Sequence, residues 1–289
     1  MASETTTTTA DDLFIAAQFD RMVLEEIRPR NVTRPLMRYA KLTESKSYSF
    51  PIQNSPGAAG SSTEGTGLSN TALSTDKSTA TAGTVGQQAT ITDELSAISI
   101  VDAYSQFSGV LTRSVLAKYE TDFTALVNNF SRTVSTSGVA ATVDTFLQAV
   151  AALVQNDIPG PYCAVLHPKQ TTDIQRDMAT SLAAQYGKDN APDPMSITDA
   201  GYQYTIGQVP IYQCSLVPTA NAGVDRAGGV FVQKHTLGLA ETWDVRTETI
   251  RVPALPGTQV DVTANYGVVE IKRTTGSPGS DGVTMITKA

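Results

Sequence analysis

Two histidines and two cysteines are the scarcest reactive residues in this 289-residue chain, and their spacing decides what chemistry they could do. An imidazole works as a general base or metal ligand only with a partner held against it. His167 stands between an apolar run and Pro168, and His235 follows Lys234 in a strand-rich region. Neither has a carboxylate or cysteine at a useful spacing, so both read as structural or surface residues. Cys163 and Cys214 lie far apart, with no C-x-x-C and no histidine at ligand spacing, and read as buried free thiols. The acidic pairs Asp11-Asp12, Glu25-Glu26 and Asp93-Glu94 are sequence neighbours, which diverge on a helix or strand instead of converging. Nothing selects a pair of glycosidase-type carboxylates. There is no G-x-x-x-x-G-K-[ST] loop, no G-x-S-x-G elbow and no H-E-x-x-H. Gly65 and Gly67 form a G-x-G, but in a hydroxyl-rich stretch that opens no helix. The expectation is a protein that is not an enzyme, with no cofactor and no metal.

Charge narrows the classes further. Lys and Arg number 21 against 28 Asp and Glu, a net charge of −7, and charged residues make up only 17% where ~25% is usual. A general basic surface for gripping nucleic acid is thereby excluded. The basic residues that stand out are local: Arg28, Arg30, Arg34, Arg38 and Lys41, interrupted by Pro35. With little apolar periodicity, this stretch predicts an extended arm lying on another surface. Apolar residues make up 40%, enough for a core. The first residues carry no basic or apolar targeting pattern. No run reaches the ~18–20 apolar residues of a spanning helix, since Val143 to Val154 is broken by Asp144, Thr145 and Gln148. The expectation is a soluble chain, intracellular where it is made.

The elements that must position these residues follow from periodicity. Asp11 or Asp12 caps a helix from Leu13, with Ile15, Phe19, Met22, Val23 and Ile27 on one face and Pro29 as its stop. Tyr48, Phe50 and Ile52 alternate as in a strand. From Asn54 to Thr90, 26 of 37 residues are Ser, Thr, Gly or Ala, too little apolar area to offset ordering entropy. With Ile91–Val101 as the return strand, this predicts an extended hairpin with a mobile tip. Leu116, Tyr119, Phe123, Leu126, Val127 and Phe130 form one apolar helical stripe. Phe107, Val110 and Leu111 extend it to a helix of ~20 residues, about 30 Å long. Gly138 marks a break, Val143–Val154 a second helix, and Tyr162–Leu166 a short buried strand. Pro168 opens a third helix that closes at Gly187. Strands are expected at Tyr202–Thr205, Val209–Tyr212, Gly229–Val232, Leu237–Ala240, Trp243–Thr249, Gln259–Ala264, Val268–Arg273 and Val283–Ile286. Helices come first and strands last, so the class is α+β.

In that order, the segments resemble the major capsid protein of tailed double-stranded DNA bacteriophages, the Hong Kong 97-like capsid fold. The residues that carry the resemblance are "SYSFPI" leading into the excursion, "YCAVLHPKQTTDI", "GQVPIYQCSLVP", and "GGVFVQKHTLGLAETWDVRTETI" leading to "VTANYGVVEIKR". The resemblance spans about Asp11 to Ala289. It implies an N-terminal arm at 1–45, an E-loop at 46–101, a peripheral domain with a spine helix at 102–138 and 236–289, and an axial domain at 139–235. Within the last, Gly187–Gly201 would approach the capsomer axis. It further implies self-assembly through pentamers and hexamers into an icosahedral shell around double-stranded DNA, without sequence-specific binding and without a membrane. The partners would be separate scaffolding and portal proteins and, in some relatives, a decoration protein. The place would be the virion, assembled in the bacterial cytoplasm. Arg30, Arg34, Arg38 and Lys77 are the candidate intersubunit contacts. An encapsulin-like compartment shares the fold, and a Thr-rich surface adhesion module is the alternative of a different class.

Overall fold

In the computed structural model the described residues are 4–5, 32–53, 61, 64–65, 73–98, 103–186, 202–206, 208–252, 256–273 and 279–288. The helix expected from Leu13, Arg30 and the Gly187–Gly201 loop lie outside them. A 3-10 turn, Arg34–Leu36, precedes strands β1 (Arg38–Lys41) and β2 (Ser47–Gln53). Next come β3 (Thr75–Thr81), β4 (Gly83–Thr92), helix α1 (Asp93–Ile98) and the long helix α2 (Ala103–Val127). Strand β5 (Arg132–Thr136), helix α3 (Val143–Val154), β6 (Tyr162–Leu166) and helix α4 (Pro168–Tyr186) follow. The remainder is β7 (Tyr202–Ile206), β8 (Val209–Gln213), β9 (Asp225–Val232), β10 (Leu237–Val252), β11 (Gly257–Glu270) and β12 (Gly282–Lys288).

The long helix is 25 residues, about 37 Å at 1.5 Å per residue. It buries Leu111, Val115, Tyr119, Phe123 and Val127, a row spaced four apart. Rows of that spacing run obliquely to the helix axis and seat in the grooves of a neighbour. Their neighbour is a five-stranded sheet in the order Glu4–Thr5, β4, β11, β10, β1. Val260, Val262, Ala264 and Tyr266 of β11 and Leu237 and Leu239 of β10 face the helix in one apolar core.

A second sheet runs β5, β12, β9, β6, β8, β7, with Thr219–Ala220 paired to β9. Its inner strands are buried residue after residue: Cys163 to Leu166 in β6, Ala227 to Val232 in β9 and Gly282 to Met285 in β12. Strands covered on both faces read as continuous apolar runs. Phe146, Ala149 and Leu153 of α3 and Ile174 of α4 pack with Val230, Val283 and Met285. Gln170 of α4 is wholly buried, and its Nε2 donates to the carbonyls of Arg226 (3.0 Å) and Met285 (3.3 Å) and to Thr287 Oγ1 (2.9 Å). One amide thus ties the helix to two strands.

The mixed α+β class holds, and the differences lie in the boundaries. The return strand of the hairpin is Thr75–Thr81, antiparallel to Ser47–Gln53, not Ile91–Val101. Residues 75–90, expected to project without structure, lie in two strands, because the sheet supplies backbone partners that composition cannot reveal. Asp93–Ile98 is helical. Leu237–Ala240 and Trp243–Thr249 are one strand, interrupted only in register around Trp243, where a bulge breaks the alternation. Strands β5 and β12, far apart in sequence, pair in parallel in the second sheet. Both faces of β12 need apolar cover, and α3 and Phe130, just past the end of α2, provide it.

Candidate functional site: the arm junction and the hairpin base

From residue 32 on, the basic stretch is seated on this chain itself. β1 pairs in parallel with Gly238–Glu241 of β10, the Leu42 N–H donates to the Glu241 carbonyl at 2.7 Å, and the Lys234 N–H donates to that of Leu36 at 2.8 Å. Leu36, Met37 and Leu42 are buried. The sequence alternates too weakly here to announce a strand, so the partner decides it.

Arg34 is held by two carboxylates. Its Nη1 donates to both oxygens of Asp244 (3.0 and 2.9 Å) and its Nη2 to both of Glu241 (3.1 and 2.8 Å). The Glu241 side chain is 3% exposed and that of Asp244 is 59%, so the first is the pair that matters for the fold. The guanidinium is raised in pKa by these two acids against the opposing effect of burial. Tyr119 packs on Tyr266 with ring centroids 4.3 Å apart. Burial first, then the Glu241 charge, pushes the Tyr119 hydroxyl far up. Tyr266 in turn donates to Asp122 Oδ2 at 3.0 Å.

Next to Tyr119 on α2 is Glu120, 1% exposed. Its Oε1 accepts the backbone N–H groups of Val32 (2.5 Å) and Thr33 (3.1 Å), and Cys214 Sγ lies 3.7 Å from Oε2. Thr124, the next turn, donates to the Leu216 carbonyl at 3.0 Å. The long helix therefore joins the arm to the segment after β8 at one point. Sequence reasoning did not select Glu120 or Glu241. A lone glutamate beside the stripe residue Tyr119 is the signal that marks the first.

Among the described residues the hairpin is held at Phe50 and at Ser78 opposite it, whose Oγ accepts the Lys272 N–H at 3.2 Å. Phe50 is buried with Leu42, Ala80, Ala82, Ala240 and Ile271, while Tyr48, Ser49, Pro51, Gln53, Thr75, Lys77 and Thr79 are exposed. Gly267 allows the crossing: a Cβ there would stand 2.2 Å from the Thr81 carbonyl oxygen. Arg38 lies with its guanidinium 5.9 Å from the Phe50 ring centroid. It lines a cavity of about 230 Å³ with Pro51, Ile52, Gln53, His235, Ile271 and Asp281. Lys77 stands opposite Pro51 in the hairpin ladder, on a strand and not in the tip. The structure thus brings Arg38 and Lys77 to the hairpin and sets Arg34 apart from them.

His167 Nδ1 accepts the Lys169 N–H at 3.1 Å, and burial, then Arg226, lowers its pKa. Both cysteines are free and buried. Burial pushes the Cys163 thiol far up and, with Glu120 beside it, Cys214 up to about 12, so neither is a thiolate at neutral pH. Among the described residues no group of three or more His, Cys, Asp or Glu side chains could hold a metal, and no helix is long and apolar enough to cross a membrane.

The chain has the fold of phage capsid subunits. It is similar to the acidic stable capsid structure of Helicobacter pylori bacteriophage KHP30 at TM-score 0.72 and 12% identity, over 100% of this chain and 98% of that one. The capsid of cyanophage P-SCSP1u matches at TM-score 0.68 and 17% identity, over 96% and 94%. The capsid of the native GTA particle matches at 0.65 and 13%, over 99% and 100%. No family model matches the chain, and no curated protein matches it in sequence.

Proposed function

We propose that this chain is a major capsid protein, self-assembling through pentamers and hexamers into an icosahedral shell that encloses double-stranded DNA. The observation that carries the reading is the end-to-end likeness to capsid chains, with 94% or more of both partners covered. The hairpin agrees with it. An isolated two-stranded hairpin is marginal in water, and the exposed part of this one would gain its support from a neighbouring copy. The low charge agrees as well, because interface cores are depleted in charge.

On this reading residues 102–138 and 236–289 are the peripheral domain and 139–235 the axial domain. Arg30, Arg38 and Lys77 are offered as intersubunit contacts, and Arg34 as one that acts through its hold on β10. A separate scaffolding protein, a portal and a decoration protein are the proposed partners, with assembly in the bacterial cytoplasm.

Electron microscopy of the expressed chain, alone and with its scaffold, tests the proposal. Closed shells or capsomers are the expected result. A strict monomer of 30.6 kDa under every condition would overturn it, and particles filled with a protein cargo would favour an encapsulin-like compartment.

A further inference from the structure

Glu120 poses an electrostatic problem that the fold does not require. A carboxylate this deeply buried is strongly unfavourable unless a cation or several donors face it. The groups that do face it are the two arm N–H groups and Thr33 on one side and Cys214 on the other. Among the described residues it forms no ion pair. Arg34, next along the arm, turns to Glu241 and Asp244, Lys118 is paired with Asp122, and Tyr119 turns to Tyr266. A glutamine of nearly the same shape could accept both N–H groups without any charge to desolvate.

We propose that Glu120 is a proton-binding site that sets how firmly the arm is held at Val32 and Thr33. In the neutral acid, Oε1 remains the acceptor of both N–H groups, and the proton sits on Oε2 toward Cys214. Ionisation puts into the core a charge that no described cation pairs with, and that charge is relieved when the arm lifts and water enters. The balance of forces agrees: burial raises the Glu120 pKa, and the Thr33 and Val32 donors and Cys214 only partly oppose it. A group whose pKa is raised in the docked state favours docking at low pH, and that contribution is lost as pH rises through the raised value. The inference concerns the single chain and stands apart from the shell reading.

The test follows the full-length chain by NMR, reading the Glu120 carboxyl carbon and the exchange protection of the Val32 and Thr33 amides, corrected for intrinsic exchange, across the pH range. The expected result is a Glu120 midpoint above the ordinary glutamate range, with protection falling by up to about tenfold per pH unit between that range and the midpoint and levelling off above it. In Glu120→Gln that slope vanishes while protection persists. A midpoint in or below the ordinary range, or an unchanged slope in the glutamine variant, would overturn the proposal. If the variant fails to fold, the wild-type titration decides alone.

Discussion

Phe50 occupies the space that a side chain at Gly238 would need: a Cβ there would lie 2.6 Å from Phe50 Cε2 and 2.8 Å from Cζ. The hairpin is thus keyed to β10 by an aromatic ring set against bare backbone. Gly238→Ala is expected to push the ring out and cost ~1–3 kcal/mol, as overpacking does. Denaturant melts would show the loss, and hydrogen exchange should place it first in Ser47–Gln53. Uniform loosening of both sheets would contradict the local key.

Arg34 divides its two hydrogen-bonding edges unequally. A double-mutant cycle between Arg34 and Glu241 should give a coupling of roughly 1–3 kcal/mol, since one partner is buried and the guanidinium only a third exposed. The cycle between Arg34 and Asp244 should give about 0–1 kcal/mol and shrink with added salt. Equal couplings would mean that the buried acid is not the anchor.

Asp225 offers a pH prediction of opposite sign to that of Glu120. Its carboxylate accepts from Asn221 Nδ2 (2.5 Å), Ser137 Oγ (2.7 Å) and the Gly138 N–H (3.0 Å), which hold its pKa below the usual value. The ionised form is therefore the one that holds the loops, so their order is complete above the ordinary carboxylate range and fails as pH falls through the depressed value. Amide protection at Gly138 should drop in acid before the global transition, and Asp225→Asn should lack that step.

Trimming the hairpin separates its two parts. Replacing 54–72 with a short turn should leave the circular dichroism and melting of the subunit unchanged and, on the shell reading, weaken assembled particles. Extending the deletion to Gly86 removes Ala80 and Ala82 from their cluster and part of the ladder with β11. That variant should lose the subunit fold. A 54–72 deletion that unfolds the chain would place those residues in the core.

Much of this was legible in sequence where a strong period or a stop was written locally. The Val143–Val154 helix, the Tyr162–Leu166 strand and the helix from Pro168 fall where periodicity, proline and burial put them. What was not legible depends on partners distant in the chain. Gly83–Thr92 is polar and small, and becomes a strand because ten residues of β11 lie beside it. Arg38–Lys41 is a strand only because β10 has an edge to give. Glu120 and Glu241 look like surface acids until the arm closes over them. The basic cluster was found as a cluster, but no spacing rule could assign Arg34 to carboxylates 207 and 210 residues away.

That distance has a consequence for how the chain is made. The arm strand is made about two hundred residues before its partner β10. β5 likewise waits for β12, which ends at Lys288. The first sheet cannot close before β11 has left the ribosome, nor the second before β12, and contacts so remote in sequence form slowly because long loops must close first. A chain built this way cannot offer its finished surface early: the order of translation itself delays the moment at which one copy can meet another.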